Sequence, residues 1–215
     1  RTLEGARYYT QWAGAPRNVV SKSNGANDYN DDINTRSLYT NWLAGGSPYI
    51  PNKEGLKVPI ELTLGVHSDA GVKADGTTVG TLSICTTQQG NPTLGTGLSR
   101  NASQVFANQL VTNAKRDIEG TFKKVWNTRG VKDANYSETR LPEVPSAIIE
   151  TLSHQNFGDM KLGQDPNFKF TLARSIYKSI LRYTASLHKR PYIVQPLAPD
   201  NFRIEYVSKD KVRLK

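Results

Sequence analysis

Two residues of this 215-residue chain stand where side-chain chemistry is costly unless it is used. His67 follows the apolar, β-prone run Pro59-Ile60-Glu61-Leu62-Thr63-Leu64-Gly65-Val66 and precedes Ser68-Asp69-Ala70-Gly71. Glu150 follows Pro145-Ser146-Ala147-Ile148-Ile149 and precedes Thr151-Leu152-Ser153-His154-Gln155-Asn156. A carboxylate closing an apolar strand must be paired or functional; the structural alternative is an ion pair with an arginine such as Arg36 or Arg140. An imidazole titrates near neutrality and is the commonest side-chain ligand of zinc, although a lone histidine often serves structure alone. Together the two suit hydrolysis: a polarised water gives its proton to Glu150, which passes it to a leaving amine. Asp69 is placed to fix the tautomer of His67 or to cap the next turn. His154 and Asn156 read either as turn caps or as groups that polarise and position a substrate carbonyl. His188, at a basic helix end, reads as solvated surface.

For these groups to meet, both apolar runs must be buried strands of one sheet, since ligands of open α/β sheets bind beyond the carboxyl ends of strands. The rest of the pattern supplies such a sheet. Residues 2–13 read as a helix with Leu3, Ala6, Tyr9 and Ala13 on one face, ended by Gly14 and Pro16. Residues 18–23 read as a short strand, and 33–43 as a helix capped by Asp31 and Asp32. The Gly/Pro-rich stretch after it is a long polar loop able to wall a cleft. A strand over 78–86 follows, then a helix from 100 to about 122 capped by Ser99, with Val105, Phe106, Leu110, Val111, Ala114 and Ile118 in register. Residues 126–141 read as irregular, with room for a short strand. Asp165-Pro166 opens a last long helix to about residue 188 with Phe170, Ala173, Ile176, Tyr177, Ile180, Leu181 and Tyr183 on its apolar side. Alternating strands and helices predict a three-layer α/β/α domain with a mostly parallel sheet over residues 1–199. From Phe202 onward the residues alternate with period two, the start of a β-sandwich module over 200–215.

Composition bounds the rest. At 37% hydrophobic and 22% charged residues this is an ordinary globular chain, with no apolar run long enough to span a bilayer. The single cysteine, Cys85, excludes a disulfide framework and a cysteine metal cluster, and reads as a small core residue. The formal charge of +9 is scattered rather than gathered into a basic helix or finger, which argues against nucleic acid and suits an anionic wall or polysaccharide.

The residues around the two strand ends resemble a family. His67-Ser68-Asp69-Ala70 resembles the His-Ala-Asn/Asp-Ala motif of zinc-dependent N-acetylmuramoyl-L-alanine amidases, and Glu150 with Asn156 six places on resembles their second motif. Glu4–Tyr9, Asn27–Asp32, His67–Gly71 and Leu152–Phe157 are further similar to amidase-like proteins of gut Bacteroidetes that carry a golvesin-like domain and are often labelled xanthan lyase. The resemblance covers residues 1 to about 199. It implies an extracytoplasmic amidohydrolase on peptidoglycan, with zinc held by His, Glu and His and a separate catalytic Glu. His67 maps to the last metal ligand and Glu150 to the catalytic carboxylate, with His154, Asn156 and Asp69 at the substrate. The remaining ligands lie, in the family, beside a first strand expected upstream of Arg1. Glu4 is a candidate substitute, although its spacing from Gly14 does not match. The alternatives are a non-catalytic wall- or polysaccharide-binding module on the same fold, and a polysaccharide lyase, which would need a base at a uronic acid carbon.

Overall fold

The two apolar runs become adjacent strands. In the computed structural model, which describes residues 5–198 and 202–215, Thr63–Asp69 (β1) pairs in parallel with Ser146–Ser153 (β4), Gly65 facing Ile148 and His67 facing Glu150. β4 pairs antiparallel with Thr81–Cys85 (β2), which pairs in parallel with Thr128–Asp133 (β3). The sheet order β1-β4-β2-β3 is thus mostly parallel, as expected, with one antiparallel ladder in the middle.

Side chains alternate across a strand, so each ladder row belongs to one face. Ala147 and Ile149 of β4 and Leu64 of β1 pack against Asn101–Phe122 (α4) and Pro166–Leu187 (α7), around Phe106, Leu110 and Tyr183. A second cluster under the same helices holds Trp126, which is fully buried and donates its indole N–H to Thr81 Oγ1 at 2.9 Å. The opposite face carries Ile148, Glu150, Gly65 and His67, with Leu82 and Ile84 from β2. It is covered only in part, by Asp28–Ala44 (α3) and the single turn Ser137–Arg140 (α5), with Ala6–Trp12 (α1) and Arg17–Val20 (α2) packed against α3. Phe157–Gly163 (α6) links β4 to α7. A separate hairpin, Ile204–Ser208 (β5) and Lys211–Leu214 (β6), closes the chain.

Several expectations are corrected. Residues 18–23 are not a strand: the chain turns once as α2, and Val19 and Val20 are buried while Thr35 donates to the Val19 carbonyl at 2.8 Å. Tertiary contact overrides the β preference of paired valines. Residues 126–141 do hold the short strand for which there was room, β3, and add the single turn α5 where irregular chain was expected. The N-cap of α3 is Asn27, whose Oδ1 accepts from the Asn30 N–H at 2.9 Å; Asp31 and Asp32 are buried one turn in. The Gly-rich loop after α3 does not wall the cleft beside His67; it is anchored by Ile50, buried with Ala44 and Val144. The buried side of α7 includes Phe168, Leu172, Ser175 and Ser179, leaving Phe170 and Tyr177 exposed. Ser179 accepts from Asn113 Nδ2 of α4 at 2.9 Å, so hydroxyls rather than aliphatic groups line part of this helix contact. The first turn of the expected first helix, with Glu4, lies outside the described residues. Among the described residues no helix is long and apolar enough to cross a membrane.

Candidate active site

His67 and Glu150 face each other across the β1–β4 ladder and point to the thinly covered side of the sheet. Thr151 Oγ1 donates to the His67 carbonyl at 2.8 Å and locks the two strands at this row. The site therefore lies on a sheet face close to the strand ends.

A third group, outside both strand-end motifs, joins them. Glu138, from α5, places Oε2 2.7 Å from His67 Nε2. Its Oε1 accepts from Arg36 Nη1 of α3 at 2.7 Å, and Arg36 Nη2 lies 3.6 Å from Asp32 Oδ2. The result is a chain of alternating charge, His67–Glu138–Arg36–Asp32, bridging the sheet and α3. Gly65 makes room for it: a Cβ there would sit 3.1 Å from His67 Nε2 and 3.3 Å from Glu138 Oε2. Only a residue without a side chain leaves the pair undisturbed.

The electrostatics follow. The hydrogen bond that His67 donates to Glu138 raises the proton affinity of the imidazole above its ordinary 6.5, against the opposing effect of burial. Burial alone would raise Glu138, but His67 and Arg36 together outweigh it and hold its pKa below 4.5. Glu150 goes the other way: burial, with help from Asp69 and Glu138, raises it above 4.5 despite His67 and Arg129. Its Oε2 is buried with no hydrogen-bond partner. Neither Arg36 nor Arg140 neutralises Glu150; Arg36 is held by Glu138 and Asp32, and Arg140 donates to the Asn135 side chain. Two carboxylates a few side chains apart with pKa values pushed in opposite directions are a common arrangement of acid–base sites.

The other selected residues are placed less centrally. Asp69 does not orient His67: it accepts from its neighbour's amide, Ala70 N, at 2.8 Å and pairs with Arg129 at 2.7 Å, so it caps its own turn. The carboxylate that holds the imidazole is Glu138. His154 reaches the same end of the sheet, its Nδ1 3.2 Å from Ser68 Oγ, but Ser68 alternates to the face opposite His67. Asn156 does not reach the crevice. It is buried, its Oδ1 accepts from Lys73 N at 3.0 Å, and its Nδ2 donates to the Thr77 carbonyl at 2.8 Å and to Asp159 at 3.3 Å. Asp159, also buried, gathers the amides of Val79, Gly80 and Ser153. These two residues pin the loop after β1 to the end of β4. His188 pairs at 2.6 Å with Glu61, remote from the site. Cys85 is buried, and burial pushes its thiol up to about 11, the state of an inert core residue.

Zinc can be tested against the donors present. Among the described residues no group of three or more His, Cys, Asp or Glu is arranged to hold a metal ion. A catalytic zinc needs three protein ligands. This face offers one imidazole, already engaged by Glu138, so the described residues do not fit a zinc site by themselves.

Beside the His67–Glu138 pair opens a cleft of about 600 Å³ between α3, α5 and the chain leading into α3. Comparison of the fold completes the picture. The CwlD amidase of Clostridioides difficile, solved with the GerS lipoprotein, superposes with a TM-score of 0.50 at 18% identity, over 77% of this chain and 70% of that one. The N-acetylmuramyl-L-alanine amidase Ami1 of Mycobacterium smegmatis gives 0.52 at 16% identity, over 72% and 61%. An N-acetylmuramoyl-L-alanine amidase of Clostridium difficile 630 gives 0.50 at 13% identity, over 79% and 80%. The chain has the amidase fold. At these identities the likeness is one of fold. No protein-family model matches the chain, and no curated protein matches its sequence.

Proposed function

We propose that this chain is the catalytic-fold part of an extracytoplasmic hydrolase that cleaves an amide bond in peptidoglycan. The observation that carries the reading is the pairing of His67 with Glu150 on one exposed face of an amidase-fold sheet, with Glu150 Oε2 unpartnered. Fold alone does not assign chemistry; the site must do so.

In this reading Glu150 takes the proton of the attacking water and returns it to the departing amine. Its raised proton affinity brings it closer to the working pH of a general base than an ordinary glutamate. His67, whose proton affinity is raised and whose ring is fixed in orientation by Glu138, stabilises in its protonated form the oxygen that becomes negative as water adds to the carbonyl. Zinc enters the proposal only with ligands beyond the described residues, from an upstream segment of the same protein, joining His67; bound there it would act as a Lewis acid on the carbonyl. The +9 charge favours approach to an anionic wall. Within the amidases, the motifs at Glu4–Tyr9 and Leu152–Phe157 support a place among the golvesin-containing Bacteroidetes proteins labelled xanthan lyase.

The test is digestion of purified sacculi with the full-length protein, with and without added zinc. Amide cleavage releases peptides bearing a new amino terminus and leaves the glycan intact. A lyase would instead produce unsaturated sugars that absorb in the ultraviolet. Absence of new amino termini under both conditions overturns the hydrolase reading. One observation favours the alternative of a non-catalytic wall-binding module: the only imidazole on this face is already taken up by Glu138. Binding to sacculi without cleavage would establish it.

A further inference from the structure

The cleft beside His67 has an unbalanced charge. Three cations line it, Lys22, Arg36 and Arg140, together with two carboxylates, Asp31 and Glu138. Both carboxylates are committed to the fold. Asp31 is buried and accepts from Ser21 Oγ at 3.0 Å and from the amides of Ser23 and Gly25. Glu138 is shared by His67 and Arg36. Lys22 is exposed, and among the described residues neither it nor Arg140 has a carboxylate partner; Arg140 donates only to the neutral amide of Asn135. Arg140 also lies close to the buried Arg100, whose proton affinity is lowered by burial and further by Arg140, although Glu143 opposes both. Two tyrosine rings, Tyr29 and Tyr136, line the same cleft and are 60% and 46% exposed.

We propose that Lys22 and Arg140 form a carboxylate-binding subsite that selects substrates with an acidic peptide arm beside the scissile amide. The cleft is large enough for several residues of an extended peptide, and it opens directly onto the His67–Glu138 pair. Arg140 supplies a planar fork suited to a carboxylate, and Lys22 a point charge at the rim. Tyr29 and Tyr136 offer flat faces against which the arm packs. Both residues are specificity-determining rather than catalytic, since neither touches the groups assigned to proton transfer. The proposal rests on the hydrolase reading only for the identity of the bond near the subsite.

The experiment measures direct binding of a short peptide ending in glutamate and of the same peptide with its carboxylates amidated. The proteins are the wild type, Lys22→Gln, Arg140→Gln and the double variant. The acidic peptide is expected to bind about tenfold more weakly to Arg140→Gln and about threefold more weakly to Lys22→Gln. Its binding to wild type should weaken with added salt. The amidated peptide should bind weakly and equally to all four. Lys22→Glu, a change at an exposed position, keeps the test decisive where Arg140→Gln fails to fold, and should weaken binding more than Lys22→Gln does. Equal affinity of wild type and the double variant for the acidic peptide overturns the subsite, as does equal affinity of wild type for both peptides. Sacculus digestion by the same proteins separates this result from the reaction assignment. Binding without cleavage removes the hydrolase reading and keeps the subsite; cleavage with unchanged KM in the double variant does the reverse.

Discussion

Replacing Glu138 by Gln tests the least expected contact of the site. Gln keeps the size and removes the charge, so Arg36 retains only Asp32 at 3.6 Å and His67 loses its ionic partner. A hydrogen bond between charged groups contributes about 1.5–3 kcal/mol when well shielded. Here the side chains are 32% and 16% exposed, and solvent screening reduces the expected loss to about 1 kcal/mol. For a chain of this size that lowers the melting temperature by about 2–4 °C. The loss must depend on pH. The raised pKa of His67 contributes stability that is fully present below 6.5 and disappears as pH rises through the folded-state value. The depressed pKa of Glu138 contributes stability that is present above 4.5 and disappears as pH falls through its folded-state value. The gap between wild type and Glu138→Gln is therefore widest at mildly acid pH and narrows on the alkaline side to what the Arg36–Glu138 pair contributes. Histidine proton resonances report the other half: with only three histidines in the chain, His67 is identified by its loss in His67→Asn. Its titration should move down toward 6.5 in Glu138→Gln. A melting difference that is constant with pH, together with an unmoved His67 titration, would refute the ion pair.

Three further outcomes follow from the same geometry. Glu150→Gln removes a carboxylate whose raised pKa costs nothing below 4.5 and costs most above its folded-state value, so it should raise the melting temperature at neutral pH while leaving it unchanged in acid. Gly65→Ala forces a methyl to within 3.1 Å of both His67 Nε2 and Ile148 Cγ1; calorimetry should show a loss of about 1 kcal/mol, with the His67 titration shifted toward its ordinary value as the pair separates. Asp159→Ala strips the amides of Val79, Gly80 and Ser153 of their acceptor, and chemical denaturation should show a loss of about 3 kcal/mol.

The sheet was legible because β1 and β4 are written as apolar runs with abrupt polar ends, and their adjacency places His67 opposite Glu150. What could not be read is what comes from the far side of the fold. Glu138 sits in Ser137-Glu138-Thr139-Arg140, a polar turn indistinguishable from any solvated surface; only folding brings it across to His67. The one available signal was Gly65, a glycine inside a strand two residues before a histidine, which marks a close approach on that face. Asn156 misled for the opposite reason. Its spacing from Glu150 fits a motif, yet it holds the loop at Lys73 and Thr77, and spacing does not distinguish holding a loop from holding a substrate. The α7 face was misjudged because Ser175 and Ser179 are buried among side chains of another helix, and a polar residue in a helix pattern reads as outward.

In the proposed reaction Glu150 is the proton carrier of an amide cleavage. The measurement that tests it most directly is the initial rate at which new amino termini appear from sacculi, followed over pH for wild type and Glu150→Gln once both are shown to be folded. Wild-type activity should rise with a midpoint above the 4.5 of an ordinary glutamate, and Glu150→Gln should be slower by at least about a hundredfold with that rise gone. A variant that cuts as fast as wild type, or keeps the same acid limb, contradicts it.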